Sequence, residues 1–365
     1  MKNLNNSNVR IADVAKLANV GAGTVSRVLN SSPSVAAETK QKVLDAIAKL
    51  GYVPNLVARS LAANRTGLIA AIIPAIGYTQ HSEVVQGMTE VLHANGMNLM
   101  IGTSGYSVDT ELKVIEAFLA RRPDAIYVTG VRHSQAIRSI LERSGIPVIE
   151  GSNLTEAPID TVVGYSNFQA FADLTTLLID QGFRHLWHVT VNKDLNDRID
   201  DRLHGFRHAI SSPVTRIKAS VIRCENSFAG GAQAVRSALE HDDRIDALLF
   251  ATDVMAVGGL LECQRLGVKV PERLAVSGFD DLTIASSINP TLTTVHVDRV
   301  GLGRKVAEII VERLRGQVKT PLIVDVGFKI VTRCSTRGGQ TISSLITGQP
   351  STVIDAEFNA SQSSG

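Results

Sequence analysis

Thr24, Ser26, Arg27 and Asn30 fall on the outward side of the segment Thr24-Val-Ser-Arg-Val-Leu-Asn30, whose apolar members Val25, Val28 and Leu29 recur at helical spacing. Hydroxyl, guanidinium and carboxamide groups gathered on one helix face are hydrogen-bonders of a length suited to phosphates and base edges. Arg27 is the best equipped of them, because a guanidinium can bridge O6 and N7 of guanine. Helices that only pack on each other need the Val and Leu but not this polar face. Upstream, Ile11, Val14, Ala15 and Ala18 also repeat at helical spacing. Gly21 stands between the two segments, where a tight turn tolerates a residue without a Cβ. Two short helices joined in this way form a helix-turn-helix, which lays its second helix in the major groove of DNA.

A second set of candidates lies further along, each beside the end of a short apolar run. Asp280 and Asp281 follow Leu274–Gly278, Thr252 and Asp253 follow Ala247–Ala251, Glu150 closes Pro147–Glu150, and Arg132 and His133 follow Ala125–Thr129. The C-terminal ends of parallel strands are where α/β sheets hold ligands. Asp253 has a second role open to it, capping the helix that follows, and Arg132 has one as a plain surface charge. His185-Leu-Trp-His188 imitates a metal site, but residues three apart on a strand point to opposite faces, so two satisfied histidines are expected and no metal. Gly21-Ala-Gly23 followed by Ser26 imitates a dinucleotide-binding loop. It lacks the third glycine, and a helix precedes it where that motif requires a strand. No Ser/His/Asp, Walker or metalloprotease pattern occurs, so catalysis has no candidate and no cofactor is implied.

These residues need a scaffold, and the alternation of the chain supplies one. Strands are expected at Leu68–Pro74, Asn98–Thr103, Ala125–Thr129 and Pro147–Glu150, with helices at Glu83–Ala94, Thr110–Ala120 and Ser134–Ser144 between them. The pattern restarts with helix Asn167–Gln181, strand Leu186–Val191, helix Arg202–Ile210, strand Ser220–Cys224, helix Ala229–Glu240, strand Ala247–Ala251, helix Val254–Leu266 and strand Leu274–Gly278. Strict alternation with apolar strands means parallel sheets covered on both faces, and two runs of it imply two sheets. Leu292–Val297 and helix Val300–Arg315 read as a return crossing that completes the first sheet.

The totals agree with a two-part molecule. A chain of 365 residues, 44% hydrophobic and 20% charged, has the length of two or three globular domains. Residues 1–65 carry nine Lys or Arg against three acids, a charge of +6, while the whole chain is only +2. A basic head on a mildly acidic body is the footprint of a DNA-binding module fused to something else. Three scattered cysteines suit a reducing cytosol. The polar start Met1–Asn8 has no apolar core of a secretory signal, and no apolar run is long enough for a membrane span, so a cytoplasmic location is expected.

Ile11-Ala-Asp-Val-Ala-Lys-Leu-Ala-Asn-Val20, Thr24–Asn30 and Tyr52-Val-Pro-Asn-Leu-Val-Ala-Arg-Ser-Leu-Ala62 together resemble the lactose-repressor family of bacterial transcription regulators. The resemblance runs over residues 10 to 338. It implies an N-terminal helix-turn-helix domain at 10–53, a hinge helix at 54–65, and a ligand-binding and dimerisation body at 66–338. That body would be periplasmic-binding-protein-like: two doubly wound parallel-sheet subdomains joined by three crossovers, with the ligand cleft between them. Residues 1–9 and 339–365 are left as a disordered arm and tail.

By the same resemblance Thr24, Ser26 and Asn30 contact phosphates, Asn55 joins the DNA-contacting set, and Leu61 wedges into the minor groove and kinks the duplex. A core position is the alternative for Leu61. The hinge segment, shorter than roughly 12 residues, would order only against its dimer mate on DNA. The chain departs from the family at Ala22 and Gly23, where longer side chains usually enter the groove, at Gly21, usually Ser or Thr, and at Ala36-Ala37, usually polar. In the body, Arg202 matches the arginine that grips ligand hydroxyls or a carboxylate, Asp280 accepts from ligand hydroxyls, and Thr252 matches a polar ligand position. Pro147–Glu150, Gly164–Asn167 and Glu262–Gly267 look most like the gluconate-repressor branch. A sugar acid would make sense of Arg132 and Arg202 together. The expectation is a homodimeric repressor of a pseudo-palindromic operator, controlled by a small sugar acid. A purine- or neutral-sugar-responsive regulator is the alternative within the family. A periplasmic-type sugar-binding protein shares the cleft but not residues 11–62, and a nucleotide-dependent enzyme rests only on the failed glycine motif.

Overall fold

The computed structural model describes residues 9–29, 34–52, 65–191, 196–211, 216–317 and 322–338. Three helices open it: α1 (Ile11–Leu17), α2 (Ala22–Leu29) and α3 (Ala37–Leu50). Their apolar stripes meet in a small core of Val14, Val25, Val28, Val43 and Ala46. The turn between α1 and α2 accommodates Gly21 without requiring it. Its left-handed residue is Asn19, at φ 54°, and a Cβ on Gly21 would meet nothing within 4 Å. Asn tolerates that conformation better than most residues, so the turn does not depend on glycine at 21. The arm 1–9, hinge 54–65 and tail 339–365 lie, apart from residues 9 and 65, outside the described residues.

The body holds two parallel sheets. The first half contains β1 (Leu68–Ile73), α4 (Thr79–Ala94), β2 (Asn98–Thr103), α5 (Val108–Leu119), β3 (Ala125–Thr129), α6 (Gln135–Glu142), β4 (Val148–Gly151) and β5 (Thr161–Gly164). The second contains α7 (Asn167–Asp180), β6 (His185–Val191), α8 (Asp197–Ile210), β7 (Lys218–Cys224), α9 (Phe228–His241), β8 (Ala247–Phe250), α10 (Asp253–Leu266) and β9 (Ala275–Ser277). Then come β10 (Thr294–His296), α11 (Arg299–Leu314), β11 (Leu322–Asp325) and β12 (Lys329–Val331). The first sheet runs β11-β5-β4-β3-β1-β2 and the second β7-β6-β8-β9, all neighbours parallel. Central strands such as β1 and β3 are buried almost throughout because helices cover both faces.

The chain passes between the halves three times, after β5, after β10 and after β11. One expectation is corrected here. Leu292–Val297 does not itself complete the first sheet: β10 pairs antiparallel with β12, and β11 is the strand added beside β5. α11 carries the chain back, packed along α4. The two helices approach backbone to backbone, since a Cβ on Gly87 would strike the carbonyl of Val300 and one on Gly303 that of Val84. Only glycine allows that distance.

Candidate functional site

On the head, α2 presents Ala22, Gly23 and Arg27 to solvent, with Thr24 and Ser26 half-buried and Val25 and Val28 in the core. The polar face expected from the spacing is therefore the outer face of α2. Arg27 lies back along its own helix, its Nε donating to the carbonyl of Gly23 at 3.3 Å. Asn30, Asn55 and Leu61 lie outside the described residues. α3 starts at Ala36 without a side-chain cap, as its Ala-Ala start dictates.

In the body, a cavity of about 330 Å³ opens between the two halves. Arg202, Thr252 and Asp280 all line it. Each is there for a local reason. Arg202 sits in mid-helix because α8 begins at Asp197, earlier than expected, on an Asn196 side chain that accepts from the Ile199 N–H. Thr252 is the N-cap of α10, accepting from Met255 N–H and donating to Asn226 Oδ1 at 2.7 Å. That corrects the capping role left open for Asp253, which instead accepts from Thr294 Oγ1 and from the Leu282 N–H. Asp280 follows β9 at φ 127°, a backbone conformation side chains rarely adopt, and it is held there by Arg299. Asp281 turns away to His296 and Arg333.

Two expected cleft residues do not reach the cavity. Arg132 is half exposed and spans the outer edge, donating to Asp200 at 3.0 Å and Asp201 at 2.6 Å on α8. Glu150 is fully buried inside the first half, accepting from the Ile159 N–H at 2.6 Å and facing His133. His133 also meets Glu111 at 2.9 Å. Position after a strand placed both residues near the cleft, but a partner of opposite charge or a backbone donor claimed each. His188, likewise, is buried with Nδ1 on the Leu249 carbonyl, and among the described residues no group of His, Cys, Asp and Glu could hold a metal ion.

Sequence reasoning missed the other two guanidiniums of the cavity and the exposed Glu225 on its wall. Arg198 stands one turn before Arg202 on α8, so both aim at the same side, and its Nη1 donates to Asp197 at 2.9 Å. Arg299 donates through Nη2 to Asp280 Oδ1 and through Nη1 to the Asp280 carbonyl, both at 2.7 Å. The i, i+4 spacing of Arg198 and Arg202 was a readable signal once the helix start was known; Arg299 had none.

The electrostatics separate the three arginines. Burial works against the charge of all of them, yet Asp197 raises Arg198 and Asp280 raises Arg299 above the ordinary value. Arg202 falls below it, because burial outweighs Asp280. Its Nε and Nη1 donate to neutral oxygens, Asn167 Oδ1 and the Ala251 carbonyl, while its carbon lies 3.5 Å over the Phe279 ring. Burial pushes Asp253 up to about 7 and His81, on the cavity wall, down to about 3.

The profile of the bacterial regulatory proteins of the lacI family matches residues 10–55, and that of the periplasmic binding protein-like domain matches 175–336. The HTH-type transcriptional regulator GntR of Pseudomonas aeruginosa is 32% identical over 326 residues, spanning 89% of this chain and 94% of its own length. That of Escherichia coli K12 is 29% identical over 320 residues, spanning 88% and 96%. A solved LacI-family regulator from Silicibacter pomeroyi superposes with a TM-score of 0.83 at 30% identity, over 90% of this chain and 99% of its own. The solved complex of the transcriptional regulator CelR with cellobiose gives 0.64 at 26% identity, over 90% and 99%. With helix-turn-helix head, two-sheet body and full-length likeness in agreement, the chain belongs to the lacI family of DNA-binding transcriptional regulators.

Proposed function

We propose that this regulator is a cytoplasmic homodimeric repressor whose hold on a pseudo-palindromic operator is set by a small sugar acid of the gluconate kind, bound between the two halves of the body. The observation that carries the ligand reading is Arg202, a buried guanidinium whose two hydrogen-bond acceptors are both neutral. A carboxylate beside it would form a charge-assisted bond in a site of low dielectric. Thr252 and the Asn, Ser and Tyr side chains that share the wall suit the hydroxyls of a polyol chain.

On DNA, α2 would enter the major groove with Arg27 reading a base and Thr24, Ser26 and Asn30 on the backbone, Asn55 joining the contacts to DNA. Ala22 and Gly23 offer at most a thymine-methyl contact, so deformability of the operator centre, wedged by Leu61, would supply more of the discrimination. Ligand control would be a shift between two arrangements of the halves, only one of which lets the hinges pair. The test is a gel shift on an operator selected from random DNA, with and without D-gluconate and related aldonates. A change in operator affinity with an aldonate is expected. A response only to a neutral sugar or a purine would refute the acid reading and leave the DNA-binding one standing.

A further inference from the structure

The cavity is lined by three guanidiniums, and each is at least nine-tenths buried. Their compensation is unequal. Arg198 is matched by Asp197, which accepts both its Nη1 and its backbone N–H at 2.9 Å. Arg299 is matched by Asp280 through two bonds of 2.7 Å. Arg202 is left over: its Nη2 lies 3.9 Å from an Asp280 oxygen already engaged by Arg299, beyond hydrogen-bond reach. The other titratable groups nearby do not change the count. His81 is buried and driven towards its neutral form, and Asp253 lies outside the cavity lining with its two oxygens engaged by Thr294 Oγ1 and the Leu282 N–H. The buried charged groups at the cavity, with their direct partners, thus number three positive and two negative.

Resting on the sugar-acid reading above, we infer that the cavity takes an effector with one negative charge, an aldonate, and discriminates against sugar acids with two or more, such as aldarates and phosphorylated aldonates. One carboxylate on Arg202 closes the balance. A second has no unclaimed cation, and a buried charge without a partner is strongly disfavoured. Glu83, 3.8 Å from Arg299, and the exposed Glu225 at the cavity wall lie nearer solvent. Their charges are shared with water and supply no buried cation for a second carboxylate.

Isothermal calorimetry on the full-length protein tests this with matched skeletons: D-gluconate against D-glucarate and 6-phosphogluconate, D-galactonate against galactarate, and glucose and galactose as neutral controls. The expected result is that at least one aldonate binds, and that its dianionic counterparts bind at least tenfold more weakly. Asp197→Asn, which frees the Arg198 guanidinium, is expected to narrow that ratio at least threefold in protein that circular dichroism shows folded. An aldarate or phosphogluconate bound as tightly as its aldonate by the unaltered protein overturns the single-charge inference while the sugar-acid reading survives. Neutral sugars bound with no acid bound overturn the sugar-acid reading itself, and the inference falls with it.

Discussion

The two walls of the cavity are chemically unlike. The second half supplies Arg198, Arg202, Glu225, Thr252 and Asp280, while the first supplies Tyr78, Gln80, His81, Tyr106, Ser152 and, on α11, Arg299. Most of the charge stands on one side; the other offers hydroxyls, an amide, a neutral ring and a single guanidinium. The contrast holds even where the local grammar is the same. Thr252 and Asp280 follow strands of the second sheet and line the cavity, whereas Arg132 and Glu150 stand at strand ends of the first sheet and do not. In the first half the loop after β3 is turned outward and inward at once, Arg132 to the acids of α8 and His133 to Glu111 and Glu150. The end of a strand decides where a side chain starts. What it reaches depends on which partner competes for it.

That contrast can be broken most severely at Arg299. Arg299→Ala would strand the buried Asp280 carboxylate, and removing one member of a buried pair costs about 3–5 kcal/mol; urea unfolding should show a loss of that size. Acidification should weaken the first half through His81 and pull on the second through His188, each held down at about 3 from an ordinary 6.5. A depressed histidine gives stability that is complete above pH 6.5 and is lost as the pH falls towards 3. Asp253, raised to about 7, has the opposite sign and gives stability that is lost as the pH climbs from 3.8 through 7. His188→Gln should therefore flatten the acid limb of a stability–pH curve, leaving the Asp253 slope visible in the second half.

Arg202→Ala should lower aldonate affinity at least tenfold in calorimetry, since a hydrogen bond to a charged group is worth about 1.5–3 kcal/mol, with operator binding retained in a gel shift. A variant that keeps its aldonate affinity would erase the distinction between the walls. Arg132→Ala should do least. Its pairs are half exposed, worth up to about 1 kcal/mol, and the variant should bind the same aldonate within about threefold. A tenfold loss there would return Arg132 to the site.

The scaffold was largely legible because buried parallel strands are written as apolar runs: β1, β3, β4, β6 and β8 lie at or within a residue or two of where those runs stand. The edge strands β2 and β7 were legible too, but the short β5 and the late strands β11 and β12 were not. β11 alternates half-buried and exposed residues, and β12 has three residues; neither carries a run to read. The first turn of α8, Asp197-Arg-Ile-Asp-Asp201, looks like a charged loop. It is helical because Asp197 accepts from the Val131 N–H, Arg132 meets Asp200 and Asp201, and Asn153 donates to Asp201 at 2.7 Å. Those partners are some fifty to seventy residues away in sequence, beyond any local pattern. Arg299 and its hold on Asp280, 19 residues apart, were hidden as well, since no local periodicity pairs them. The left-handed residue of the first turn is Asn19, which no spacing marked; Gly21, tolerated there, is not what the turn requires.

The glycine contact between α4 and α11 has a mechanical consequence. Gly87 and Gly303 fasten α11 to the first half so closely that it cannot slide along α4 without a collision of main chains. Arg299, the first residue of α11, is thus anchored to the first half while its carboxylate partner, Asp280, belongs to the second. The pair works as the pin of a joint. Translation of one half over the other would pull the pin and leave two desolvated charges, whereas a change of angle about it leaves both bonds intact. Rotation is the motion this architecture makes cheap.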